Sequence, residues 1–335
     1  MAVDPVEPAA NGAGEMDELV AEALVSVEAK PVPPRLRDRV LAAALASRPA
    51  GRPPGDGSAP LSPVEAYRRT IGDLDEVLAG LDAHGWAAPV ARYGWTVQGL
   101  VGHLVAVDRL LGARLGVEEL PADPDADHVA MSLDSVAAQE GRDPAATLHD
   151  WRAATRRALD ALVAQPPELS ARVPFHGVEY RWASLLVART LEIWTHTDDI
   201  RVATGEPPVA PDEERLALMT DLAVRTLPYR LATVGAQEFT GTARIVLTGP
   251  GGGAWTQSLT LASGASATPA AGAPAPVPAA ASTTTGEPAV RLVADAVGFC
   301  RLAAGRIDAD DLGVTVTGDG RLAAAVLASA AAFAV

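Results

Sequence analysis

The chain has 335 residues, 48% of them hydrophobic, with 42 acidic against 27 basic side chains and a formal net charge of −15. That length suits two domains, and that apolar content is enough to fill their cores. The charge excludes a protein that neutralises nucleic-acid phosphates with a basic face or adheres to anionic lipid, so neither nucleic acid nor membrane is expected as a partner.

Cys300 is the single cysteine, so neither an intrachain disulfide nor a cysteine-built zinc site is available. The opening "MAVDPVEPAANGAGEMDEL" is acidic and lacks the basic-then-apolar order of a secretory signal. The longest apolar run, "LAAAVLASAAAFAV", is too short to cross a bilayer, and a cytoplasmic protein is expected. Residues 1–60 read as a flexible extension with two short amphipathic helices, "MDELVAEALVSV" and "PRLRDRVLAAALAS", followed by the linker-like "SRPAGRPPGDGSAPLSP". Within it, "VPPRLRDRVLAAA" resembles a segment of anti-sigma-factor-like proteins, without their zinc-binding part.

From residue 61 the pattern turns helical, and a four-helix bundle is expected over 61–205. The first helix, "SPVEAYRRTIGDLDEVLAGLDAHG", begins with Ser62 as N-cap, Pro63 in the first turn and Glu65 completing a capping box. Its apolar stripe runs through Ala66, Ile71, Leu74, Val77, Leu78 and Leu81, and His84 falls at its C-terminus, where the dipole favours a cation. The second helix, "TVQGLVGHLVAVDRLLGARLG", is capped by Thr96, and a loop with Pro121, Pro124 and several aspartates follows. The third, "DPAATLHDWRAATRRALDALVAQ", runs from Asp143 to Pro166, and the fourth spans about 178–204 up to Gly205. Residues 206–335 then read as an α+β unit. It holds a helix, a β-hairpin in "TARIVLTGPGGGAWTQSLTL", a disordered insert at about 263–288, a further helix and strand, and a last Ala-rich helix.

The stretch "LEIWTHTDDI" places Glu192 and His196 four residues apart, on one helical face, among residues of buried type. His103 lies between aliphatics in "LVGHLVAV", and a ring buried there needs a partner. Gly102 beside it leaves room for a close helix or a bound group. His103, Glu192 and His196 across two facing helices make a zinc-like set of two nitrogens and a carboxylate, with Asp199 placed to accept an imidazole's second N–H. A plain Glu–His hydrogen bond fits the same spacing, and Asp198 and Asp199 are equally readable as solvated acids near a helix end. His128, His149 and His176 read as solvated, Cys300 as core, and Trp95, Trp182 and Trp194 as bundle packing, with Trp194 also able to wall the site.

The segments "GWTVQGLVGHL" and "RTLEIWTHTDDIRVATG" resemble the two signature segments of the mycothiol-dependent maleylpyruvate isomerase-like family, within the DinB-like four-helix superfamily. The tail "ADAVGFCRLAAGRIDADDLGVTVTGDGRLAAAVL" resembles the family's sterol-carrier-like C-terminal domain, with Gly305, Arg306, Gly318 and Asp319 at its Gly-Arg and Gly-Asp. Gly99 stands where the family commonly has an acid. The resemblance implies a divalent metal, usually zinc, on His103, Glu192 and His196, and mycothiol as the external thiol. It implies a zinc-dependent isomerase or transferase in which that thiol, held as thiolate, attacks a small electrophile. Arg201, Arg244 and Arg306 are the candidates to bind an acidic substrate, with pairing to an acid on its own helix the alternative for Arg201. Two other readings stand beside this one: a non-catalytic, metal-stabilised binding or regulatory module, and a metal-dependent hydrolase with Asp199 as base.

Overall fold

The computed structural model describes residues 61–233, 239–261 and 287–331. The N-terminal extension at 1–60 and all but the end of the insert at about 263–288 lie outside them. The first helix is α1, Pro63–Ala79, and a short α2, Ala83–Ala87, follows it. A two-residue pairing of β1, Pro89–Val90, with β2, Trp95–Thr96, leads into α3, Val97–Arg114. Then come α4, His128–Gln139, and α5, Pro144–Ala164. A hairpin of β3, Arg172–Phe175, and β4, Val178–Arg181, feeds α6, Trp182–Ala203. Helices α1, α3, α5 and α6 form the bundle and share one buried apolar cluster.

Several sequence expectations need correction. The stretch after α3 is not all loop: Asp127 caps α4 by accepting from the amides of Val129 and Ala130, and α4 packs along α3. The fourth bundle helix starts at Trp182, because residues 178–181 are spent pairing with β3. Ser62 does cap α1, accepting from the Glu65 amide at 3.1 Å. The reciprocal half of the capping box is not formed, since the Glu65 carboxylate is held by Arg68 and Arg69 instead. His84 belongs to α2 rather than to the end of α1, and is exposed.

Helix α6 is the axle of the molecule. Leu185, Leu186, Ile193 and Ile200 face the bundle core, while Val187, Leu191 and Trp194 belong to a second core. That second core joins α7, Glu213–Thr233, to a four-stranded sheet and two further helices. The strands are β5, Phe239–Thr248, β6, Gly253–Leu261, β7, Val290–Asp295, and β8, Thr315–Gly318, in the order β6-β5-β7-β8. β5 runs antiparallel to β6 and parallel to β7, and β8 is antiparallel to β7. Helix α8, Ala296–Ala303, connects β7 towards β8, and α9, Gly320–Ala331, covers the sheet beside α7. The architecture is thus a helical bundle followed by a small α+β unit. No described helix is long and apolar enough to cross a membrane.

Candidate metal centre

Two helices bring three polar donors into the seam of the bundle. His103 comes from mid-α3, Glu192 and His196 from successive turns of α6, and they are 1%, 4% and 1% exposed. One donor atom from each lies within 4.8 Å of the other two. The His103 Nε2–Glu192 Oε1 separation is 3.3 Å, the edge expected of a tetrahedron with ~2.0–2.1 Å bonds to zinc.

The ring hydrogens can be assigned from the partners. The Ser132 hydroxyl donates to the Val129 carbonyl at 2.8 Å, so towards His103 Nδ1, at 2.9 Å, it accepts. His103 Nε2 then carries the lone pair and faces a carboxylate oxygen, so a proton or a metal ion must sit between them. His196 Nδ1 donates to Asp199 Oδ2 at 3.0 Å, which turns its Nε2 lone pair inward. That Nε2 is buried and has no hydrogen-bond partner. One proton on His103 would leave it unpaired, whereas one cation would serve all three donors. Burial lowers the His196 pKa to about 4, so the ring is neutral, as a ligand must be.

The surroundings are largely charged. The Glu192 carboxylate has its other oxygen, Oε2, on Arg189 Nη1, and Arg189 Nη2 reaches Asp108 Oδ1 at 2.7 Å. Burial raises the Glu192 carboxyl, but Arg189 and His103 outweigh it and hold the pKa well below the ordinary carboxylate range. On the opposite side Arg306 donates to Asp199 Oδ2 at 2.5 Å and to the Tyr93 hydroxyl at 2.8 Å, with Nη2 3.4 Å from His196 Nδ1. Burial raises the Asp199 carboxyl, yet His196 and Arg306 bring it down to about 2.

Arg306 arrives from the second core through a local device. At the end of α8 the Gly305 amide bonds to the Leu302 carbonyl and the Arg306 amide to the Arg301 carbonyl, with Gly305 at φ 68°. This left-handed C-cap suits glycine and turns the chain back towards α6. Arg92 grips the Gly305 carbonyl at 2.6 Å, and Arg301 pairs with Asp198 at 3.1 Å.

Of the three candidate arginines, only Arg306 stands at the donors. Arg244 donates to Thr256 within the sheet, and Arg201 is a minor part of the positive charge that opposes the upward push of burial on the Asp198 carboxyl. Asp198 and Asp199 are not solvated acids: Asp198 accepts from the Val209 amide and Arg301, and Asp199 from His196 and Arg306. His128 and His176 are not simply solvated either. The His128 ring centroid lies 5.7 Å from that of His103, and the His176 ring 5.8 Å from that of His128. Burial lowers the His176 pKa to about 4. His149 is exposed and Cys300 is buried. Trp182 packs in the bundle, and Trp95 stacks on Tyr93 at the edge of the site. Trp194 belongs to the second core, its indole N–H on the Val209 carbonyl. The room beside Gly102 is taken by a helix: a Cβ there would come within 2.8 Å of Gln139 Cγ and 3.0 Å of the Ser135 carbonyl, both on α4.

Residues 67–201 match the family model described as the mycothiol maleylpyruvate isomerase N-terminal domain. An uncharacterized protein of Mycobacterium tuberculosis, in strain H37Rv and in strain CDC 1551, is 30% identical over 201 residues, spanning 58% of this chain and 75% of the relative. Crystal structures of the mycothiol-dependent maleylpyruvate isomerase and of a mutant of it superpose with a TM-score of 0.49, at 16% and 17% identity, covering 76% of this chain and 91% of theirs. With its bundle matched by the family model and three-quarters of the mycobacterial relative covered at 30% identity, the chain belongs to the mycothiol-dependent maleylpyruvate isomerase-like family.

Proposed function

We propose that His103, Glu192 and His196 hold a divalent metal, zinc by the chemistry of the set, and that the protein is a mycothiol-using isomerase or thiol transferase acting on a small electrophile. The observation that carries the reading is the buried, partnerless His196 Nε2, aimed with two other donors at one point. Two carboxylates, Glu192 and Asp108, share the single guanidinium of Arg189, so the buried cluster has one carboxylate more than it has cations. A dication offsets that excess and leaves one positive charge, which a bound thiolate would neutralise. Zinc bound there would supply a Lewis-acid position that favours the thiolate of a thiol whose free pKa is ~8.5.

The chain's own residues then divide the remaining work. Asp199 fixes the His196 tautomer, and Ser132 does the same for His103. Arg306 brings a guanidinium to within 3.4 Å of His196 Nδ1, where an acidic substrate's carboxylate would meet it. Tyr93 and Trp95 stack beside the donors and exclude water. In the isomerase reading the mycothiol sulfur adds to a carbon–carbon double bond, the resulting single bond rotates, and elimination returns the thiol and the trans alkene. In the transferase reading the adduct leaves.

The depth of the donors favours a second reading, in which the metal is a staple for the bundle in a non-catalytic module. Zinc-loaded protein incubated with mycothiol and maleylpyruvate, or with a model electrophile, separates the two. Thiol-dependent turnover that disappears in His103→Ala supports the enzyme. Stoichiometric zinc without turnover supports the staple, and a protein that takes up no zinc defeats both.

A further inference from the structure

Behind the three donors lies a chain of buried polar groups that ties three helices together. Tyr67 of α1 donates to Asp108 Oδ1 of α3 at 2.9 Å, and Arg189 of α6 donates to the same oxygen at 2.7 Å. The other terminal nitrogen of Arg189 holds Glu192 Oε2. Tyr67, Asp108 and Arg189 are 0%, 0% and 1% exposed. Such a cluster is costly to desolvate, and packed apolar side chains would hold the helices together at least as well. Its position next to a metal donor gives it a use that apolar packing would not supply.

We infer that Arg189, anchored by Asp108 and Tyr67, is a positioning residue that commits Glu192 to offering a single oxygen, Oε1, to the metal. This rests on the metal reading of His103, Glu192 and His196. The guanidinium spends one nitrogen on each carboxylate, so Oε2 is occupied while Oε1 faces His103. Without that restraint, Oε2 is an unpaired carboxylate oxygen at a buried position, and rotation about the last side-chain bond would bring it to the cation as a second ligand. Two-oxygen binding by Glu192 would take the position left open for an incoming thiol. Lysine cannot replace arginine here, because one ammonium lacks the planar fork that reaches both carboxylates.

The test compares the parent with Arg189→Lys and Tyr67→Phe. Zinc affinity is measured by competition with a chromophoric chelator, coordination by the visible spectrum of the cobalt(II)-loaded protein, and folding by circular dichroism. Arg189→Lys is expected to weaken zinc by on the order of 10–100-fold, the usual effect of losing a group that orients a ligand. Its cobalt bands should lose intensity as the coordination number rises. Tyr67→Phe removes one hydroxyl, and a several-fold weakening with the same spectral direction is expected; it decides the matter if Arg189→Lys fails to fold. Folded variants with parental zinc affinity and parental cobalt spectra would overturn the positioning role while leaving the metal site standing. A parent that loads neither metal would overturn the metal reading itself.

Discussion

Helices α1 and α6 pack against each other in the bundle, yet they are built on opposite rules. α1 buries one stripe, Ala66, Tyr67, Thr70, Ile71, Leu74 and Leu78, and leaves the rest of its surface to charges such as Glu65, Arg68 and Arg69. α6 is buried almost without interruption from Leu185 to Ile200, because the bundle core lies on one side and the sheet core on the other. An amphipathic helix keeps its charges largely in water, so they carry little energy. On a helix with no wet face every polar group must be matched, and each one therefore marks either a structural pair or a site.

The sharpest break of that contrast is Arg189→Met. It strands Asp108 and Glu192 as two buried carboxylates with no guanidinium, and a loss of roughly 3–5 kcal/mol in urea unfolding of the metal-free protein is expected. Glu192→Gln should lose zinc-dependent stabilisation in a melting experiment while costing the metal-free protein far less, since one guanidinium then faces one carboxylate. On α1 the largest effect is apolar: Leu74→Ala should cost about 3 kcal/mol through the cavity it leaves. Ser62→Ala removes the cap on the Glu65 amide and should cost about 1 kcal/mol. Least of all, Glu65→Gln should give a small change in melting that vanishes in high salt, because its pairs with Arg68 and Arg69 are exposed. A Glu65→Gln loss rivalling that of Arg189→Met would refute the comparison.

The same rule explains what the sequence disclosed. A histidine between valines and leucines, and a glutamate and histidine one turn apart in an apolar run, were legible because their burial demanded a partner. Arg189 in "LLVARTLEIW" and Asp108 in "LVAVDRLL" carry the same signal, since each sets a charge in an apolar run. The α4 helix was hidden by Pro121, Pro124 and the aspartates before it, although Asp127 is an ordinary N-cap and Gly102 called for a neighbour at backbone distance. His128 and His176 were unreadable for the same reason, since only α4 brings His128 alongside His103 and only the β3–β4 turn brings His176 alongside His128. The capping box failed through competition: Glu65 found two arginines within one turn, and a charge-assisted pair outweighs a single amide.

The guanidinium opposite the three donors comes from a turn 107 residues further along the chain than the aspartate it grips. A growing polypeptide therefore owns the nitrogen and carboxylate donors long before it owns the counter-charge that faces them. The complete constellation exists only once the sheet and α8 have settled onto α6. The left-handed bend at Gly305 thus works as a clasp: it makes the counter-charge at the donors depend on the docking of the second core.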